Sequence, residues 1–477
     1  MLSEVFMPKM QIPLAKGLVK DIKTADYIDA LPVNMLATPK EVLNASGYLR
    51  SFPGIEKKQD VKGVSRGVHF NTKNNALYRV CGNTLYRNDN EVADIAGMRR
   101  VSMSHSSHSQ AVCVEGKLKL YGYDGTEKAL SNWPKDKYTQ YDLGEVIDVC
   151  RNRGRYIWLQ KGGERFGVTD LEDESKPDRY RPFYRAESQP DGIVSVDAWR
   201  DLIVCFGSSS IEYFTLTGSA DTSQPLYIHQ AAYMIQAGIA GRDCKCHYQD
   251  KYAILSHQST GQPAVYLIGA GEKNKISTAS IDKIIRYYSA DELAASFLES
   301  VRFDNHELLL LHLPKHTLCF DGSASHQYSQ WSLLKSGRYD DPYRAIDFMF
   351  FDNQITVGDK KEGVLGHLIF NASNQYGQQA EHILYTPMIK ADNARLFDFE
   401  LEASTGVAQI ADKLFLSVTT DGINYSREQL IEQNSPFQYD KRILWRRIGR
   451  VRKNIGFKIR IITKSPVTLS DLSIRMA

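Results

Sequence analysis

The chain has no long apolar run. The longest, LLLLHL between Glu307 and Pro314, is strand-sized and far short of the ~18 apolar residues of a membrane span. No membrane insertion is expected. It also has no excess of one charge: 59 Lys and Arg against 56 Asp and Glu leave +3 over 477 residues. Only a local basic cluster could therefore argue for nucleic-acid contact. The cysteine count is odd. With seven (Cys81, Cys113, Cys150, Cys205, Cys244, Cys246 and Cys319) a complete internal disulfide set is impossible, and most lie in apolar, strand-like contexts. Buried, reduced thiols made in a cytosol are the expectation. The opening MLSEVFMPKMQIPLAKGL lacks the basic start and apolar block of a secretory leader. The N-x-Ser sequons at Asn44, Asn371 and Asn424 are accordingly read as chance. P-loop, dinucleotide and nucleophile-elbow motifs are missing too, and helical periodicity is rare.

What is present is turn signals at regular intervals, 26 tyrosines, and 42% hydrophobic residues, enough for a large core. Seven segments share a strand–turn–strand pattern. They begin at Asn75, Gln110, Arg155, Asp201, Lys251, His306 and Asn353, so successive starts are 35, 45, 46, 50, 55 and 47 residues apart. A further short apolar strand precedes most of them, as VIDVCRN precedes RYIWLQKGGERFGVTD. A repeating four-stranded unit of ~40–50 residues is the signature of a propeller blade, because stacked blades bury both faces of sheets that cannot do so alone. The reading is an all-β chain with a β-propeller of about seven blades over 61–385. The widest gap holds Ser289-Ala-Asp-Glu292, a capping box, and DELAASFLES after it predicts a short helix.

Two regions fall outside the repeat. Residues 1–60 are read as an extended arm, since Leu31–Gly54 is punctuated by Pro32, Pro39, Gly47, Pro53 and Gly54 without apolar periodicity. Residues 386–477 alternate like half-buried strands, with a turn at Thr420-Asp421-Gly422, and predict a small β-sandwich. Within it, Lys441–Lys464 carries ten basic residues and no acid. Arg446, Arg447, Arg450, Arg452 and Lys453 form its densest part. They are the candidate partner-binding residues, facing either phosphate or an acidic protein, unless they simply cover apolar neighbours on exposed strands.

Other motifs carry less. Cys244-Lys-Cys246-His247 has no second cysteine pair to complete a metal site. His312 and His316 are separated by Pro314, and His105 and His108 likewise read as structural. The acidic run from Asp170 to Asp178 lacks the spacing of a calcium loop. Gly207–Ser210 reads as a hairpin turn. Asp148, Asp197, Asp304 and Asp347 lie in or near innermost strands, where a convergent pair would suit a glycosidase. No metal, cofactor or catalytic residue is expected.

Several long runs carry a resemblance. They include ADYIDALPVNMLATPKEVLNASGYLRSFPGI, TDLEDESKPDRY, YRAESQPDGI, WRDLIVCFGSSSIEYFTLTG, TTDGINYSREQ and ITKSPVTLS. From about Asp26 to the end, the chain resembles the tail hub, or packaged-DNA stabilisation, proteins of short-tailed double-stranded DNA phages of enterobacteria. The resemblance implies a structural virion protein without enzymatic activity, made in the host bacterial cytoplasm. It implies a ring, expected to be a hexamer, that closes the DNA exit below the portal and its accessory ring. The same ring would hold the tail needle and tailspikes, with possible DNA contact. A glycan-binding adhesin or glycoside hydrolase acting on host polysaccharide is the alternative from residues alone.

Overall fold

The computed structural model describes residues 9–12, 17–21, 26–40, 47–123, 129–130, 145–171, 173–186, 191–219, 221–324, 329–407, 412–432 and 436–477. The Asn44 sequon, Glu172 and residues 1–8 of the expected arm lie outside them. Contacts divide the chain into two compact units. One holds 58–300 and 345–365; the other holds 1–57, 301–344 and 366–477.

In the first unit, five antiparallel four-stranded sheets follow one another along the chain, at 65–94, 102–130, 146–185, 193–229 and 245–275. They are blades 1 to 5. Several of their hairpins are two-residue turns with both residues left-handed: Asn88-Asp89, Glu115-Gly116 and Arg153-Gly154, and likewise Asp352-Asn353 further on. That geometry matches the strand twist and favours Asn, Asp and Gly. The first strands of blades 1 to 4 pack side by side, and Ala345–Phe351 packs against Ser65–Asn71. These are the contacts of propeller blades.

The second strands of blades 2 and 3 carry apolar residues on both faces for a reason. In Arg155–Gln160, Tyr156 and Trp158 join the apolar layer shared with blade 2, while Ile157 and Leu159 join the layer shared with blade 4. Ala111 and Cys113 alternate with Val112 and Val114 in the same way. Successive side chains point to opposite faces, so a sheet between two neighbours needs both sets apolar.

A sixth sheet runs over Phe297–Phe303, His306–His312, Thr317–Asp321, Trp331–Ser336 and Asp341–Pro342. The seventh comprises Ala345–Phe351, Gln354–Asp359 and Val364–Ile369, and takes Gly54–Asp60 as its fourth strand. Seven sheets thus correspond to the seven hairpins of the sequence. The capping box is present, with Ser289 as N-cap and Glu292 returning the bond, but the helix ends at Ala294. Phe297 onward is strand, which corrects the longer helix expected there. A second helix, Ala279–Ile285, is capped by Thr278 and was not anticipated.

The second unit contains the β-sandwich. One sheet has the order Met35–Thr38, Tyr48–Ser51, Thr468–Met476, Arg395–Ala403, Ile443–Arg450, with Lys9–Ile12 also pairing on Thr468–Met476. The other has Ala380–Tyr385, Asn454–Thr463, Lys413–Thr419, Gln429–Glu432, with Ile389–Lys390 also on Asn454–Thr463. The two inner faces bury Phe399, Trp445, Phe457, Leu414, Leu416, Leu469 and Leu472. Residues 31–40 and 47–54 are therefore not part of a separate extended arm. Met35–Thr38 and Tyr48–Ser51 are sandwich strands, and Met35 and Leu49 sit in its core. The sandwich also begins earlier than 386, with Ala380–Tyr385.

Residues 32–34 join the sandwich to the sixth sheet. Val33 pairs with Ile383 on one side and with Leu333 on the other. Leu333 N–H donates to the Pro32 carbonyl at 2.9 Å and Asn34 N–H to the Leu333 carbonyl at 2.8 Å.

Candidate partner surface

The inner-strand acids bear on the hydrolase alternative. The first strands of blades 1, 3 and 4 and of the seventh sheet each carry a β-bulge, at Ser65/Gly67, Val146/Asp148, Ile193/Ser195 and Ile346/Met349. A bulge re-aims a side chain, and here it turns polar groups to the seams between blades. Asp148 accepts from Ser102 Oγ at 2.5 Å, from Val196 N–H at 3.0 Å and from Ser195 Oγ. Asp347 accepts from Ser65 Oγ at 2.6 Å and from Arg100 at 2.5 Å. Lys245 Nζ lies 3.3 Å from Asp197 and 4.0 Å from Asp148, so those two acids do converge, but on a lysine.

Burial would raise the carboxyls of Asp197, Asp243 and Asp347. Lys245, Arg242 and Arg100 outweigh it in turn and hold all three below the usual carboxylate range. A glycoside hydrolase needs one carboxyl kept protonated by its surroundings. These surroundings do the opposite. Asp304 belongs to the other unit, where its half-exposed carboxylate pairs with Arg50 at 2.8 Å.

The remaining motifs are absorbed locally. Cys244 is buried with its thiol against the Leu293 and Ser296 carbonyls, each at 3.2 Å. His247 approaches Asp197 at 3.7 Å and Tyr252 Oη at 3.1 Å. His105 Nδ1 lies 2.7 Å from His69 Nε2. His312 is buried, with Nδ1 3.5 Å from Thr317 Oγ1. In the acidic run, Glu174 accepts from Ser106 and Ser109 at 2.6 and 2.7 Å, and Asp178 pairs with Arg155 at 2.8 Å. Asp191 accepts from the N–H groups of Ser209 and Ser210, which closes the Gly207–Ser210 turn.

The basic cluster lies at the rim of the sandwich. Ile443–Arg450 is an edge strand, and Arg446, Arg447, Arg450, Arg452 and Lys453 are all exposed. Ile443 and Trp445 face the core; past Trp445 the strand bulges against Arg395–Ala403, with Arg447 at φ 60° and Gly449 at φ 130°. Two of the three acids of the neighbouring strand, Asp398 and Glu400, are already engaged. Glu400 pairs with Arg442 at 2.7 Å and Lys9 at 2.8 Å, and Asp398 with Arg475. The Arg442 hydrogen bond, helped by Lys9 against partial burial, pulls the Glu400 carboxyl down to about 2. None of the five cluster side chains has a hydrogen bond or ion pair among the described residues.

Two features were not legible in the sequence. Arg395 stands directly opposite Arg450 across the strands, though 55 positions separate them. An apolar patch also surrounds the Ile443 end of the same edge. Val407, Leu430, Phe437 and Tyr439 are 46, 54, 84 and 67% exposed. Phe437 N–H donates to the Gly406 carbonyl at 3.2 Å, and the Tyr439 ring lies on Gly406, where a side chain would collide with it. Trp445 Nε1 donates to the Gln429 carbonyl at 3.2 Å, tying the two edge strands together. Exposed aromatics beside arginine are typical of protein–protein contact cores.

Comparison with known proteins gives concordant matches. Residues 10–373 match the family described as bacteriophage P22 Gp10, beta-propeller, and 381–477 match bacteriophage P22 Gp10, beta-sandwich. The tail hub protein gp10 of Salmonella phage P22 is 61% identical over 471 residues, covering 98% of this chain and all of that protein. Among solved structures, PorZ of Porphyromonas gingivalis aligns with a TM-score of 0.35 at 12% identity, over 78% of this chain and 46% of PorZ. Hsv2 of Kluyvelomyces marxianus aligns at 0.34 and 12%, over 64% and 97%. At these scores neither structure adds to the assignment.

Proposed function

Because the chain belongs to the bacteriophage P22 Gp10 family, and is thus a structural tail protein of a phage virion rather than an enzyme, we propose that it closes the DNA exit below the portal. In this reading several copies form a ring, expected to be a hexamer. The ring docks on the portal-associated accessory ring, retains the packaged genome, and provides attachment for the tail needle and tailspikes. The observation that carries the reading is the 61% identity across the whole length of a tail hub protein. The physical features agree with it. A propeller is a stiff platform with many loops, suited to several partners at once. Its inner-strand acids are neutralised by internal cations, which makes them struts between blades. The unpaired cations and the exposed aromatics lie at opposite ends of one sandwich edge strand, which this reading takes as the side offered to partners.

The test mixes the purified chain with DNA-filled heads that lack it. Co-sedimentation with the heads and loss of DNA leakage are expected. A chain that neither binds the heads nor slows leakage overturns the reading. Turnover or saturable binding of surface polysaccharide by the isolated chain would then favour a sugar-directed protein.

A further inference from the structure

The basic edge holds an arrangement that asks for an anion. Arg395 and Arg450 are direct cross-strand partners, a placement that costs stability when both side chains are charged and nothing lies between them. The acids beside the pair are bound elsewhere: Asp392 by Lys390, Asp398 by Arg475, Glu400 by Arg442 and Lys9. Beyond Arg450 the pairing continues irregularly, with Asn393 N–H on the Arg452 carbonyl at 3.0 Å and Ala391 N–H on the Lys453 carbonyl at 2.8 Å. Arg452 and Lys453 are thereby fixed next to the arginine pair. Arg395 makes no ion pair among the described residues; its guanidinium lies 5.5 Å from the Phe397 ring.

We propose that Arg395, Arg446, Arg447, Arg450, Arg452 and Lys453 bind the phosphodiester backbone of duplex DNA. At strand spacing, Arg446 to Arg450 extends over roughly 13 Å, a length that faces about four phosphates of one strand, and Arg452 and Lys453 follow in the bend that leads into Asn454–Thr463. Five of the six cations are arginines, whose planar guanidinium matches two phosphate oxygens at once. A second protein chain could use this edge by adding a strand. The bulge, with left-handed Arg447 and Gly449, removes the regular ladder such an addition needs. The apolar patch of Phe437 and Tyr439 lies at the other end of the strand, so protein and phosphate chemistry are separated along it.

The experiment uses the full chain and a fluorescein-labelled 30-base-pair duplex, with anisotropy read from 50 to 300 mM salt. Binding should weaken with salt at a log–log slope of about −4, as expected for four to five phosphate contacts. Arg395→Glu with Arg450→Glu should weaken binding at 100 mM salt at least tenfold and flatten the slope by about 2. Arg452→Gln with Lys453→Gln, at two exposed positions, should weaken it severalfold and guards against a misfolded charge reversal. Phe437→Ser should leave it unchanged. The proposal is overturned if the wild type does not bind the duplex at 50 mM salt, or if both double variants bind like it. It is also overturned if polyglutamate of matched charge binds more tightly than the duplex, or if inorganic phosphate at millimolar concentration displaces the duplex completely. Duplex binding is read on the isolated chain, so failure here leaves head docking as a separate result.

Discussion

Asn34 and Lys335, 301 positions apart, exchange a pair of hydrogen bonds: Lys335 N–H donates to Asn34 Oδ1 at 2.9 Å, and Asn34 Nδ2 donates to the Lys335 carbonyl at 3.0 Å. Asn34 Nδ2 also reaches the Glu381 carbonyl at 2.9 Å. Asn34 itself is buried and left-handed, at φ 54°. One side chain thus serves the backbones of the sixth sheet and the sandwich together.

Asn34→Ala should therefore be costly. It deletes three hydrogen bonds, each worth about 1 kcal/mol net, and forces a β-carbon without local compensation into a conformation that costs about 1–2 kcal/mol more. A loss of about 3–5 kcal/mol in urea unfolding is expected. Asn34→Gly should recover about 1 kcal/mol of it. Equal losses for the two would remove the backbone part of the argument.

Next to Asn34, Glu381 receives the Lys335 ammonium on one oxygen and Arg460 on the other, at 3.1 Å. Lys335 and Glu381 are both buried. Glu381→Ala removes the buried partner of Lys335, leaving it only the exposed Asp340 at 3.5 Å, and should destabilise by about 3–5 kcal/mol. Glu428 also pairs with Arg460, but at the surface, and Glu428→Ala should lose less than about 1 kcal/mol. Denaturation midpoints of the two variants check the contrast.

Acid should weaken the fold in two windows. Burial pushes His382 down to about 4, although its contact with the Asn34 carbonyl at 3.0 Å works the other way. A neutral buried histidine binds its proton less readily folded than unfolded. Its contribution is complete above the unfolded value of about 6.5 and is lost as pH falls to about 4. The slope is up to about 1.4 kcal/mol per pH unit. Glu400, held near 2, contributes above its unfolded value of about 4.3, and that share disappears between there and pH 2. Unfolding free energies at pH 7, 5.5 and 4 should show the first window, which His69, likewise pushed down by burial to about 4, shares, and His382→Gln should reduce its slope without abolishing it. An unchanged slope in that variant would assign the effect to other groups.

Phe437 and Tyr439 are the exposed aromatics of the sandwich edge. Phe437→Ser with Tyr439→Ser should leave the thermal midpoint within ~2 °C, since surface changes rarely exceed about 0.5 kcal/mol. Docking on DNA-filled heads should fall at least tenfold if the patch anchors a protein contact. Normal docking by this variant would leave the patch without a role in assembly.

The local and periodic features of the fold are written in the order of its residues. Turn residues such as Glu115-Gly116 and Arg153-Gly154, flanked by alternating apolar strands, announce hairpins whatever surrounds them. Stacked sheets repeat the same demand on every second strand, so seven hairpins could be counted. The Ser289–Glu292 cap was visible because all its bonds close within four residues. The rest depends on contacts between distant parts of the chain. Leu31–Gly54 has no period of its own because its partners are Leu333, Ile383 and the strand Thr468–Met476, hundreds of positions away. The cluster at Arg446–Lys453 was plain as composition. Whether it was neutralised depended on which carboxylates Lys9, Arg442 and Arg475 had already taken, and Arg395 joined it through strand register alone. Charge compensation acts through space over a few ångströms, and chain order does not record that distance.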